Sequence, residues 1–212
     1  MRATNVRKIN FSNTVAYLDL SQAITGIFLC LFMLTHTLLV FSIIFGEKCF
    51  NKVALFFEST GLAWSSGIFL TIIFLFHFLL TARKIPFSFT EQAKFWSQAK
   101  MINHQDTWLW LVQVLTGIVI LLFGSIHIWV ILNDLPITAL KSKHLMQKGG
   151  WVYFYVLFLF SVAFHLGLGL YRIGVKWGFI TSQNRLKSKK YLFILVGTLI
   201  MIDSISLLFF YF

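Results

Sequence analysis

The chain has 212 residues, 58% of them hydrophobic and only 12% charged, with a net charge of +11. That balance excludes a soluble globular domain and marks a chain built for lipid. Its 18 Lys and Arg fall in short blocks between apolar runs rather than along one face, and 25 Phe and 7 Trp accompany them, which argues for membrane orientation and against nucleic-acid binding.

In chain order, Met1–Asn10 is basic, but no short apolar stretch with a small-residue cleavage site follows it, so no cleaved leader is expected. Five transmembrane helices are expected over Leu20–Phe45, Leu62–Ala82, Trp108–Leu132, Trp151–Tyr171 and Tyr191–Phe212. Each has the roughly 20 residues needed to cross a ~30 Å hydrocarbon core. The reading is therefore an all-α membrane protein, a single transmembrane domain over residues 1–212 with no soluble segment. Cys30 lies in the first span and Cys49 in the loop after it, roughly 25–30 Å apart at helical rise, so both are expected as free thiols. The second loop contains Thr90–Lys100, which reads either as a short amphipathic helix on the interface or as a solvated loop.

Charge sets an orientation. The N-terminus (Arg2, Arg7, Lys8), the second loop (Arg83, Lys84, Lys94, Lys100) and the fourth (Arg172, Lys176, Arg185, Lys187, Lys189, Lys190) carry all but five of the 18 Lys and Arg. Those five, Lys48, Lys52, Lys141, Lys143 and Lys148, lie in the first and third loops. By the positive-inside rule the N-terminus is cytoplasmic and the C-terminus outside.

Four of the six histidines lie one each in the first four spans: His36, His77, His127 and His165. An ionisable ring in hydrocarbon is expensive unless it is paired or ligated, and such residues are usually functional. Counting along alternating helices puts His36 and His127 in the outer half and His77 and His165 roughly 9–10 Å from the cytoplasmic edge. The histidines therefore pair by depth, His36 with His127 and His77 with His165, as axial ligands of two b-type haems in a four-helix bundle to which a fifth helix is added. Structural hydrogen bonds to neighbours such as Thr35 or Ser125 are the alternative. Zinc is a poor competitor, since neither level offers a third and fourth ligand, whereas two imidazoles complete a haem iron and leave no open position.

An internal repeat supports the pairing. Gln22–His36 reads QAITGIFLCLFMLTH and Gln113–His127 reads QVLTGIVILLFGSIH, with Gln, Thr, Gly, Ile, Leu, Phe and His at identical offsets. The second and fourth spans share Phe76-His77 ahead of Arg83 and Phe164-His165 ahead of Arg172. Gly26 and Gly117 lie ten residues before their histidines, at about the inner level. Small residues there suit either close approach of a macrocycle or ordinary helix packing.

The segments TGIFLCLFMLTH (Thr25–His36), HFLLTARKIP (His77–Pro86), HQDTWLWLVQVLTG (His104–Gly117), GSIH (Gly124–His127) and HLGLGLYRIGVKWG (His165–Gly178) carry a resemblance over nearly the whole chain. The chain resembles the dihaem cytochrome b anchor subunits of succinate:quinone oxidoreductases, in the branch with a single five-helix anchor, notably menaquinol:fumarate reductases. The haem subunit of another respiratory complex, such as a formate dehydrogenase or hydrogenase, is the alternative, and a haem-free transporter using histidines as proton relays a more distant one.

The resemblance implies a bacterial cytoplasmic (inner) membrane subunit. Electrons would pass between menaquinone and a flavoprotein and an iron–sulfur subunit docked on the cytoplasmic face, with the dicarboxylate site on another subunit. A doubled three-subunit assembly is the family expectation. His77 and His165 would hold the inner haem, and His36 and His127 the outer. Lys176, Trp110 and Gln22 would meet the inner haem's propionates. Glu58, in FFEST (Phe56–Thr60), aligns with the carboxylate of the menaquinol site, where quinol oxidation releases protons that a carboxylate can take.

One departure stands out. Some relatives carry a glutamate two residues before the inner histidine of the fourth span, and here that position is Ala163, which cannot carry a proton. Asp203, deep in the fifth span, reads either as a relay or as a group paired with polar neighbours. His104 and His144 read as solvated loop residues.

Overall fold

The computed structural model describes residues 3–86 and 88–212. Arg2 and the side chains of Arg7 and Lys8, on which part of the charge asymmetry rests, lie outside the described residues. Among the described residues the chain is helical with no strand. The helices are α1 (Ala3–Phe41), α2 (Glu47–Ser59), α3 (Leu62–Ala82), α4 (Phe89–Ile102), α5 (Gln105–Asn133), α6 (Ala139–Gln147), α7 (Trp151–Lys176) and α8 (Arg185–Tyr211). A 3₁₀ turn, Ser42–Phe45, continues α1.

Helices α1, α3, α5, α7 and α8 are long and apolar enough to cross a membrane, which agrees with the five expected spans. Several are longer than the apolar runs that announce them. The first span extends back to Asn13, α5 begins at Gln105, α7 runs on to Lys176 and α8 begins at Arg185. Arg and Lys are good helix formers, and no Pro interrupts these polar turns, so the helix propagates past the lipid boundary. α7 is stopped instead by Gly178 in a left-handed conformation (φ 79°), after which the Ile180 N–H folds back onto the Gly174 carbonyl at 2.9 Å.

Three short helices cover the ends. α4, at Thr90–Lys100, is the helical alternative of the two sequence readings. It begins at a capping box in which the Ser88 hydroxyl accepts from the Glu91 N–H while the Glu91 carboxylate accepts from the Ser88 N–H. At the opposite end α2 and α6, neither anticipated from sequence, close over a cluster of Ile43, Phe50, Ala54, Ala139, Met146 and Phe210. Asn51 Oδ1 accepts from the Ala139 N–H at 2.7 Å and Glu58 accepts from the Ile137 N–H, so the α5–α6 linker is pinned to α2.

α1 packs along α3, and α5 along α7, forming two hairpins that match the sequence repeat; the hairpins touch each other more sparsely. α8 seats against α7 and α1. Its contact with α7 depends on Gly167, where a Cβ would lie 2.5 Å from Val196 Cγ2 and 2.9 Å from Leu192 Cδ1. Leu166, Leu168, Tyr171, Leu192, Val196 and Leu199 complete that core, and Ala163 is buried within it at 2% exposure. Ala163, singled out in the sequence, is thus part of the α7–α8 packing.

Candidate functional site

The structure brings the four intramembrane histidines together in the pairs that depth suggested. The rings of His36 and His127 lie 6.0 Å apart, centre to centre, at 75°. His77 and His165 lie within electrostatic reach of each other. Gly26 abuts His77 and Gly117 abuts His165, and His36 and His127 follow ten residues later on the same two helices. The levels are therefore separated by about 15 Å along the bundle. Each pair bridges the two hairpins, and all four rings are only half-buried.

The inner pair is held by the same device twice. Thr25 Oγ1 lies 2.9 Å from His77 Nδ1, and the Gln22 backbone also bonds to this ring. Thr116 Oγ1 lies 3.3 Å from His165 Nδ1, whose N–H donates to the Gln113 carbonyl at 3.0 Å. A carbonyl can only accept, so the His165 proton resides on Nδ1 and Nε2 presents a free lone pair. A Cβ on Gly26 would come within 3.1 Å of His77 Cε1, and one on Gly117 within 3.0 Å of His165 Cε1. The glycines thus make room for the neighbouring imidazole itself, a finer role than the approach of a macrocycle to the backbone.

The outer pair sits among aromatics. His36 stacks on Phe32 at 5.7 Å, and His127 meets Tyr155 and Phe158. Tyr155 Oη lies 3.2 Å from His127 Nδ1. Thr35 and Ser125, the hydroxyls expected as alternative partners, donate instead to the Phe32 and Leu121 carbonyls of their own helices.

These residues fit a bis-imidazole haem. Two metal–imidazole bonds of about 2 Å, with about 1 Å from each nitrogen to its ring centre, span the separation of the outer pair. The Nδ1 bonds of the inner pair leave Nε2 free to ligate. Among the described residues no three His, Cys, Asp or Glu converge as a metal site, so each level offers two nitrogens.

At the inner end two carboxylates gather cations. Asp19 accepts from Arg83, Lys84 and Lys176, drawn from the C-terminal ends of α3 and α7, with Lys84 at 2.9 Å. Lys84 also donates to Gln22 Oε1 at 2.5 Å. Partial burial first, and then the nearby charges of Lys176 and Arg83, lower the Lys84 pKa against the pull of Asp19. Gln22 and Lys176 are therefore joined through Asp19 and Lys84, whereas Trp110 packs against Phe95 of α4, ring centres 4.7 Å apart and tilted at 56°. Asp106 binds Lys189 at 2.6 Å and Arg185 at 3.4 Å and accepts from the Tyr171 hydroxyl. His104 is exposed and also caps α5, its Nδ1 accepting from the Asp106 N–H at 3.2 Å.

Asp19 went unrecognised in the sequence. Its signal was its spacing, one helical turn before Gln22 on the same face. Asp203 hydrogen-bonds to Thr37, the paired alternative of its two readings. His144 is exposed in the last turn of α6, and Cys30 and Cys49 are free thiols.

Two helical hairpins with histidine pairs at two levels, joined by a fifth helix, define a membrane bundle of the cytochrome b kind. Residues 90–202 match the family described as succinate dehydrogenase/fumarate reductase transmembrane subunit. The chain is 33% identical over 183 residues to the fumarate reductase cytochrome b subunit of Helicobacter pylori, covering 81% of this chain and 71% of that one. It is 29% identical over 188 residues to the fumarate reductase cytochrome b subunit of Wolinella succinogenes, covering 84% and 73%. With the succinate dehydrogenase cytochrome b558 subunit of Bacillus subtilis it shares 24% identity over 159 residues, covering 71% and 74%. The chain belongs to the succinate dehydrogenase/fumarate reductase transmembrane subunit family. It is a multi-pass bacterial inner-membrane subunit of a respiratory oxidoreductase complex, which sets aside the formate dehydrogenase and hydrogenase alternative.

Proposed function

We propose that this chain is a dihaem anchor passing electrons between menaquinone and an iron–sulfur/flavoprotein pair that interconverts fumarate and succinate. The observation that carries the reading is the pairing of four intramembrane histidines at two levels, with the outer rings 6.0 Å apart. His77 and His165 would hold the inner haem, and His36 and His127 the outer. Bound there, haem would supply a one-electron carrier. Thr25, Thr116 and Tyr155 hold the rings, and the aromatics around the outer pair exclude water. Lys176, Lys84 and Gln22, gathered at Asp19, are poised to meet propionates, and Trp110 borders the same end.

The cation-rich end faces the cytoplasm in this reading, with the flavoprotein and iron–sulfur subunits docked there and the three-subunit unit doubled. Menaquinol would bind near the outer pair under the α2–α6 cap. Glu58, in the last turn of α2, is the carboxylate placed to take a proton from it, its position fixed by the Ile137 N–H.

The test is the haem content and reduced-minus-oxidised spectrum of the purified complex, wild type against His36→Ala and His77→Ala. Two haems in the wild type, with one lost in each variant, is the expected result. One haem or none in the wild type would overturn the reading.

A further inference from the structure

Resting on the bis-histidine reading above, we infer that Thr25 and Thr116 are positioning residues for the inner haem. Their hydroxyls accept from the Nδ1–H of His77 and His165 and so make both imidazoles stronger donors to the iron.

The argument begins with where each hydroxyl proton goes. Thr25 Oγ1 lies 2.8 Å from the Ser21 carbonyl and 3.1 Å from the Gln22 carbonyl of its own helix. Thr116 Oγ1 lies 2.8 Å from the Val112 carbonyl and 3.1 Å from the Gln113 carbonyl. A hydroxyl has one proton, and in both cases the helix takes it. What remains toward the histidine is an oxygen lone pair. Thr25 therefore accepts from His77 at 2.9 Å beside the Gln22 backbone, and Thr116 shares with the Gln113 carbonyl the proton of His165. A histidine whose Nδ1–H is given to an acceptor keeps Nε2 open for a metal, has its ring plane fixed and is a more basic ligand.

The next residue in each case is the glycine that abuts the same ring. Thr25-Gly26 and Thr116-Gly117 thus act as one unit, the glycine letting the imidazole in and the threonine holding it. That the unit occurs once per hairpin, against the two inner histidines, separates it from the common habit of threonine bonding back to its own helix.

The outer pair lacks this arrangement. His127 meets the phenol of Tyr155, and His36 stacks on Phe32. The consequence is selective: changing Thr25 or Thr116 alters the inner haem and leaves the outer one alone.

The experiment uses the whole membrane complex carrying Thr25→Val, Thr116→Val, the double variant and the Thr→Ser counterparts. Haem content is measured first, then redox titration and low-temperature electron paramagnetic resonance of each haem. Valine keeps the shape and removes the hydroxyl, leaving the Gln22 and Gln113 backbones as the remaining partners of the two rings. The iron(III) form, which gains most from a basic ligand, is weakened, so the inner midpoint potential rises. The expected size is up to about tenfold in the oxidised-to-reduced binding ratio per site, or 59 mV for one electron. The outer potential stays at its wild-type value and serine restores the inner one.

Val variants with wild-type inner potential and resonance overturn this inference alone. Equal shifts at both haems, or a shift that serine does not reverse, also overturn it, because packing rather than the acceptor would then be responsible. A wild-type complex without paired haems overturns both this inference and the reading beneath it.

Discussion

Asp19 is the residue on which most charge converges. Its carboxylate is 20% exposed and accepts from Arg83, Lys84 and Lys176, which come from two other helices. Removing its charge leaves three cations crowded together with no counter-ion, the situation in which a partly buried ion pair matters most. Asp19→Asn is expected to destabilise the bundle by on the order of 1–3 kcal/mol, read as a lower melting temperature of the purified complex. Asp134→Asn makes the control, since Asp134 is 64% exposed and pairs with Lys141 at 3.2 Å. Its loss is expected to cost about 0–1 kcal/mol. Equal effects of the two substitutions would show that the three-cation cluster contributes nothing special.

The site was partly legible at this scale. The four histidines announced themselves because ionisable rings are rare in apolar runs, and counting along helices paired them. The threonines were visible as repeat positions, but which ring each would meet depends on how α1 lies against α3 and α5 against α7. Asp19 was hidden for a similar reason: a lone aspartate before an apolar run reads as an interfacial charge until the ends of two other helices arrive beside it.

Among elements, the spanning helices were read from their apolar runs, and the polar turns that extend them were not, because hydropathy marks lipid and not helix. α4 was one of two readings of Thr90–Lys100, and the structure shows the Ser88–Glu91 capping box that starts the helix. α2 and α6 escaped because each is short and mixed in polarity, gaining stability from the cap cluster they close over and from the Asn51 and Glu58 hydrogen bonds beside it. α8 is held by shape. Gly167 lets it approach until Val196 and Leu192 fill the space a side chain would need. Gly167→Leu is therefore expected to force α8 away from α7. Overpacking of this kind costs about 1–3 kcal/mol or more, and it would expose the tie from Lys189 to Gln105 and Asp106. Protease nicking between residues 177 and 184, faster in the variant than in wild type, checks this. An unchanged rate would mean that α8 tolerates the side chain.

Over the whole molecule, sidedness follows from the charge distribution. The end that holds Asp19 and Asp106 gathers Arg83, Lys84, Lys176, Arg185 and Lys189 in ion pairs, with Lys94, Lys100, Lys187 and Lys190 in the same loops and helix starts. The α2–α6 end has Lys141 paired with Asp134 and Lys143 with Glu47. Orientation responds to Lys and Arg and little to Asp and Glu, so the ion pairs at Asp19 and Asp106 do not cancel the bias. The cation-rich end is expected in the cytoplasm, which puts Phe212 and the α2–α6 cap outside. Alkaline phosphatase fused after Phe212 should then be active and a fluorescent protein fused there dark. The same fusions on Asp19→Asn should give the same result, because the substitution removes an acid and no base. The opposite pattern would turn the bundle over. It would place Glu58 and the His36–His127 level on the cytoplasmic side, and with them the quinol site proposed under the α2–α6 cap.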